Sequence, residues 1–293
     1  MPSMDELLLQ TSRTFALAIP LLPEPTRHTT CLAYLLFRIA DTFEDAGAWD
    51  PVVRQGALTE FAALLRAPTP EKAAALREHC LTHGPTAHAG DLALLRALPE
   101  VFGEVARLDL RARDIVLEHA WRTADGMRQV LGHADASGWL RVTTLQGLRD
   151  YCYVVAGIVG ELLSALFLSD VPGLSKVADR LHAFERDFGE GLQLVNILKD
   201  EQTDDGEGRC YLPPHVPRAE LFALARRDLQ AARAYIAALR EGFAPPGFIA
   251  FTALSQELAE ATLTRLESHG PGAKIPRTEV FAILERVQRE ALQ

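Results

Sequence analysis

Two groups of polar residues are spaced for chemistry. In Cys31–Ala46, CLAYLLFRIADTFEDA, the residues Tyr34, Arg38, Asp41 and Asp45 recur at intervals of 4, 3 and 4. That spacing sets them on one face of a helix. Leu32, Leu35, Leu36, Ile39 and Phe43 cover the rest. Carboxylates on so apolar a helix are costly to bury unless paired or metal-bound. Asp41 and Asp45, one turn apart, repel as bare anions. Mg²⁺ is hard and oxygen-seeking and binds through one or two carboxylates plus phosphate oxygens. The competing reading is a surface helix on which Arg38 pairs with both acids, a weak interaction in water.

The second group lies in Asp187–Pro213, DFGEGLQLVNILKDEQTDDGEGRCYLP. Gln193, Asn196, Asp200 and Asp204 are spaced 3, 4 and 4, again one helical face. Amide and carboxylate oxygens are hard donors. Gly189 falls on the same stripe, where a small residue leaves room for a ligand. A helix trailing into the acidic turn Asp204-Asp205-Gly206 explains the last acids but not Gln193 and Asn196 in line with them. Two such helices facing a cleft could hold several Mg²⁺ ions, and a diphosphate is the natural guest. Divalent metal makes diphosphate a leaving group. The carbocation left behind needs an apolar, water-free pocket.

The rest of the chain must position these stripes. It has 293 residues, 48% hydrophobic and 24% charged, ample for a large core. Its net charge of −9 argues against nucleic acid as a partner. Cys31, Cys80, Cys152 and Cys210 form no CxxC pair, so neither zinc nor a disulfide framework is indicated. Helix signals recur: Ser3 with Glu6 as a capping box, Asp50-Pro51, Thr144, Ser175, and prolines at 217, 245, 246 and 276 before amphipathic stretches. Alternating strand patterns are missing. These signals predict a single all-α domain over residues 1–293 with about ten helices. His79–Gly90 reads as a loop, and Asp205–Gly208 as a mobile lid. Tyr151–Leu168 is nearly long enough to span a bilayer but carries Glu161, so a core helix running from Thr144 is expected. The N-terminal residues lack a basic signal region, and a soluble cytoplasmic protein is expected.

Four blocks resemble the squalene/phytoene synthase family, the head-to-head prenyl-diphosphate synthases. They are SRTF (12–15), YLLFRIADTFED (34–45), DYCYVVAGIVG (150–160) and QLVNILKD…D…GRCYLP (193–213). AKIPR, around Lys274, fits loosely. The resemblance implies an isoprenoid-synthase fold with a central cavity. It implies about two to three Mg²⁺ ions held by Asp41, Asp45, Asn196, Asp200 and Asp204. It places Ser12, Arg38, Gln193, Lys199, Arg209, Tyr211 and Lys274 around the substrate. Tyr151, with Tyr34, would steer the cationic intermediate or assist proton transfer; core packing is the alternative for Tyr151. Gly157 and Gly160, with Ala156, would hollow out room for a prenyl chain, close helix packing being the alternative. The family's NxxRDxxED has Lys199 and Thr203 here in place of Arg and Glu.

The expected reaction joins two prenyl diphosphates, C15 favoured over C20, through a cyclopropylcarbinyl diphosphate. Squalene is the favoured product, with NADPH as hydride donor. Phytoene or dehydrosqualene, formed without NADPH, and arrest at presqualene diphosphate are alternatives. A non-catalytic assembly factor of the same fold is the alternative from another class. A class I terpene cyclase is disfavoured, since Thr42 interrupts a DDxxD. A monomer with peripheral membrane contact is expected.

Overall fold

The computed structural model describes residues 2–135 and 139–292. The described chain is almost wholly helical, as expected, and falls into two compact units. One comprises Met1–Pro20 and Glu24–Ala134, the other Leu21–Pro23 and Asp135–Gln293.

The first unit is built from α1 (Met4–Thr11), α2 (Phe15–Ala18), α3 (Thr26–Glu44), α4 (Pro51–Arg66), α5 (Pro70–His83), α6 (Ala89–Arg96), α7 (Leu98–Arg107) and α8 (Leu110–Leu131). Local chemistry sets several starts. Ser3 and Glu6 close a reciprocal capping box on α1, and Asp50 accepts the Val52 N–H ahead of Pro51 on α4. Helix α3 is the centre, packed by α1, α4, α6, α7 and α8. Its residues Leu32, Leu35, Leu36, Ile39 and Phe43 are all fully buried. The stretch His79–Gly90, expected as a loop, is helical at both ends. Helix α5 continues through His83 to a left-handed Gly84, φ 53°, and Gly90 already lies in α6. Gly90 serves packing rather than chain reversal, since a Cβ there would stand 2.2 Å from the Gln10 carbonyl oxygen.

The second unit contains α9 (Leu145–Cys152), α10 (Ile158–Asp170), α11 (Ala178–Gly206), α12 (Arg218–Glu241), α13 (Pro246–His269) and α14 (Arg277–Ala291). Thr144 caps α9 by accepting the Gly147 N–H. The single helix expected from Thr144 to Leu168 is interrupted by a π turn at Tyr153–Gly157. Such turns insert one extra residue per turn and re-aim the side chains before and after them. Leu145–Asp170 is by length and composition apolar enough to cross a membrane, and half of its most apolar window is buried. Its packing on α11 is that of a core helix.

Helix α11 is the counterpart of α3, packed by α9, α10, α12 and α13. Ser175 lies in a 3₁₀ turn, Pro172–Val177, and α11 starts at Ala178 and runs to Gly206 rather than stopping near Asp200. Asp205 and Gly206, expected in a mobile lid, are therefore its last turn. The chain then leaves through Gly208 at φ 80°, a conformation glycine adopts freely. It is fixed by a parallel two-residue pairing of β1 (Leu140–Arg141) with β2 (Arg209–Cys210), a feature too short for sequence patterning to reveal. A Cβ on Gly208 would lie 3.2 Å from the Trp139 ring.

The glycines expected to open space for a ligand close it instead. A Cβ on Gly189 would lie 2.0 Å from the Ala156 carbonyl oxygen, and one on Gly160 would lie 1.9 Å from the Glu185 carbonyl oxygen. A Cβ on Gly157 would meet the Tyr153 ring at 2.8 Å and Glu190 at 3.4 Å. These positions bring the π turn and α10 into backbone contact with α11. The space they leave is filled by protein.

Candidate functional site

In the first unit α3 presents the predicted stripe on one face. Tyr34 donates its hydroxyl proton to the Thr11 carbonyl at 3.0 Å, and its ring lies 5.4 Å from that of Phe15. Burial pushes the Tyr34 phenol upward. Ser12 ends α1, and its hydroxyl oxygen accepts the Phe15 N–H at 2.9 Å, so this residue shapes the α1–α2 corner. Arg38 is engaged by a residue the sequence reading missed. Its Nε and Nη2 donate to both oxygens of Asp91 at 2.9 and 2.8 Å, a bidentate pair that fixes the guanidinium. Asp91 is 4% exposed. It lies 53 positions from Arg38 in sequence, in α6 just beyond the segment read as a loop, so no local pattern pointed to it.

Asp41 stands 3.9 Å from Arg38 with 39% of its side chain accessible. Desolvation by surrounding protein nevertheless pushes its carboxyl up to about 7, with Arg38 opposing and Asp45 and Asp91 adding to the rise. An accessible but poorly hydrated carboxylate is one that a cation would stabilise strongly. Asp45 is exposed at the C-terminal cap of α3, its N–H bonded to the Asp41 carbonyl at 2.8 Å.

In the second unit α11 carries the other stripe. Gln193, Asp200 and Asp204 are half-buried and Asn196 is exposed. Lys199 bridges two of these donors, its Nζ reaching Asn196 Oδ1 at 3.2 Å and Asp200 Oδ2 at 3.1 Å. Arg209, held by β2, donates to Asp204 at 3.2 Å and pairs with Glu207. Asn196, Asp200 and Asp204 are thus oxygen groups already answered by positive charge from Lys199 and Arg209. No group of three or more His, Cys, Asp or Glu side chains is gathered tightly enough among the described residues to hold a metal by itself. Oxygens of these residue types fit Mg²⁺ when substrate phosphate completes the set. Lys274 is exposed in the segment after α13, and that segment docks on α11 through the Gly272 N–H to the Lys199 carbonyl at 2.8 Å.

Tyr151 and Tyr211, predicted separately, are brought together. Both are 5% exposed, their rings stack at 4.3 Å and 19°, and the Tyr151 hydroxyl donates to that of Tyr211 at 2.9 Å. The same unit holds a second missed cluster. Arg149 reaches Asp228 at 2.9 Å, Asp187 at 2.9 Å and Glu190 at 2.7 Å, and Arg186 also pairs with Glu190. Glu190 and Asp228 are each 1% exposed. Burial raises both carboxyls, against the pull of the arginines. The cluster ties α9, α11 and α12 together just before the π turn.

The family model described as squalene/phytoene synthase matches residues 8–220, which includes both stripes and the Tyr151 segment. The squalene synthase of Ganoderma lucidum is 29% identical over 211 residues, 72% of this chain and 43% of that protein. The chain thus spans less than half the length of that curated relative. The 15-cis-phytoene synthase of a Paracoccus species is 29% identical over 283 residues, 92% of this chain and 82% of that one. The solved structure of TcSQS with the ligand E5700 has the same fold, with a TM-score of 0.76 at 23% identity over 99% of this chain and 87% of that chain. With residues 8–220, well over half of the chain, matched by the family model, the chain belongs to the squalene/phytoene synthase family.

Proposed function

We propose that this protein is a prenyltransferase that condenses two prenyl diphosphates head to head, with C15 farnesyl diphosphate as substrate and squalene as product. The observation that carries the reading is the pair of stripes on α3 and α11, both inside the matched family region. Asp41 and Asp45 on one, and Asn196, Asp200 and Asp204 on the other, would hold Mg²⁺. When bound, the metal supplies Lewis-acid neutralisation of the diphosphate and makes it a leaving group.

The chain's own residues do the rest. Arg38 offers its remaining N–H to diphosphate oxygen while Asp91 holds the guanidinium plane. Lys199 and Arg209 can release Asn196, Asp200 and Asp204 and transfer their hydrogen bonds to incoming phosphate, so positive charge stays with the site throughout. The aromatic faces of Tyr34 and Tyr151 favour a developing carbocation that an apolar surround cannot solvate, an effect of ~2 kcal/mol or more when desolvated. Departure of the first diphosphate leaves a C1 cation that the 2,3 double bond of the second substrate attacks, and loss of a proton from the resulting cation closes the ring to a cyclopropylcarbinyl diphosphate. Loss of its diphosphate and rearrangement leave a cation that hydride would quench to squalene, a hydride that NADPH would supply when bound.

A second reading, phytoene-type condensation of C20 diphosphate with loss of a proton and no NADPH, is favoured by one observation. The match to the Paracoccus enzyme runs over most of both chains. Purified protein incubated with C15 or C20 diphosphate and Mg²⁺, with and without NADPH, separates the two by mass spectrometry of the products. Squalene formed only with NADPH supports the first reading. A C40 product indifferent to NADPH supports the second, and no condensed product from either substrate refutes both.

A further inference from the structure

We infer that Tyr211 is a positioning residue that fixes both the ring and the hydroxyl of Tyr151. This rests on the proposed prenyltransferase reading and adds a positioning residue to it.

Tyr151 and Tyr211 lie 60 positions apart in sequence and reach each other through two separate constraints. Tyr151 is the penultimate residue of α9, just ahead of the π turn, and Arg149 two residues earlier is anchored to Asp187, Glu190 and Asp228. Tyr211 follows β2 directly, so the pairing of Leu140 with Arg209 and Arg141 with Cys210 sets where its backbone lies. Gly208 brings the chain into that pairing at a positive φ with the Trp139 ring against it. Neither tyrosine is held by core packing alone.

The hydrogen bond between them has a direction. The Tyr151 hydroxyl is the donor and the Tyr211 hydroxyl oxygen the acceptor, at 2.9 Å. A phenol has one proton to give and lone pairs to accept with. The bond therefore commits the Tyr151 proton to Tyr211 and fixes the orientation of the Tyr151 hydroxyl. Parallel stacking at 4.3 Å also holds the Tyr151 ring from turning, which keeps both its face and its oxygen in place. The sequence left open whether the ring or the hydroxyl of Tyr151 matters; this arrangement makes Tyr211 the residue that orients both.

Tyr211→Phe tests the inference, because it keeps the stack and removes the acceptor. Two readouts are needed. In protein labelled at the tyrosine ζ carbon, the Tyr151 resonance, assigned by its loss in Tyr151→Phe, should shift in Tyr211→Phe while the melting temperature holds. In turnover with prenyl diphosphate and Mg²⁺, kcat should fall about tenfold with KM unchanged, the scale of one lost hydrogen bond. Early-released alcohol or cyclopropyl diphosphate should rise as a share of product. The double variant Tyr151→Phe/Tyr211→Phe should be no slower than Tyr151→Phe alone. An unmoved resonance overturns the inference at the level of the bond. A moved resonance with wild-type kcat and products, or additive losses in the double variant, overturns the positioning role while leaving the prenyltransferase reading standing. A wild-type protein that makes no condensed product overturns that reading, and this inference falls with it.

Discussion

Replacing Gly189 by alanine separates a packing role from a ligand-space role. At an open helical position the change adds helix propensity worth up to ~1 kcal/mol. Gly189 is not open. The new Cβ would lie 2.0 Å from the Ala156 oxygen, 2.6 Å from its carbonyl carbon and 3.0 Å from the Gly157 nitrogen, all backbone atoms. Restoring an ordinary contact of about 3.4 Å requires α11 and the π turn to separate by roughly 1.4 Å, far more than interiors packed to crystal density accommodate. Overpacking of this kind costs about 1–3 kcal/mol and more where backbone must move, so the expected net loss is ~2 kcal/mol or greater. Urea denaturation followed by circular dichroism measures it. Gly56→Ala, within α4 and with nothing within 4 Å of its Cβ, is the control and should gain ~0.5–1 kcal/mol. A Gly189→Ala protein as stable as wild type but weaker in substrate binding would refute the packing argument and restore the view that Gly189 clears space for ligand.

Asp41→Asn should reduce turnover by roughly 10²–10³-fold or more with the fold retained, as loss of one charge-stabilising group typically does; near wild-type kcat would remove Asp41 from the site. Its carboxyl sits near 7 against an ordinary 3.8, so the folded protein holds a proton that a metal ligand must lose. At limiting Mg²⁺, kcat/KM should therefore rise as pH climbs through about 7, and excess Mg²⁺ should move that limb to lower pH; a flat profile from pH 6 to 8 would contradict this. Because the folded value is the raised one, Asp41 itself favours the folded state more as pH falls from about 7 toward 4, and Asp41→Asn should be no less stable than wild type at pH 8. Arg149→Met should destabilise by about 3–5 kcal/mol, since Glu190 and Asp228 stay buried without their shared countercharge. Both carboxyls are already raised, so acidification should recover part of that loss by neutralising them; a deficit that grows toward pH 5 would contradict the assignment.

The helix assignment was legible because its causes are local. The box of Ser3 and Glu6, the caps at Asp50 and Thr144, and prolines ahead of α12, α13 and α14 act within a few residues of themselves. The two stripes were legible for the same reason, since intervals of 3 and 4 assign residues to a face whatever surrounds the helix. What tertiary structure alone decided is everything that depends on a partner far along the chain. Asp91 is 53 residues from the Arg38 it anchors, and Tyr211 is 60 from Tyr151. Small residues look the same in sequence whether they admit a ligand or another helix, and only the approach of the Ala156 and Glu185 carbonyls shows that Gly189 and Gly160 admit a helix. Spacing fixes which side chains share a face; what that face meets is set by the packing of distant segments, because burial and close contact are properties of pairs.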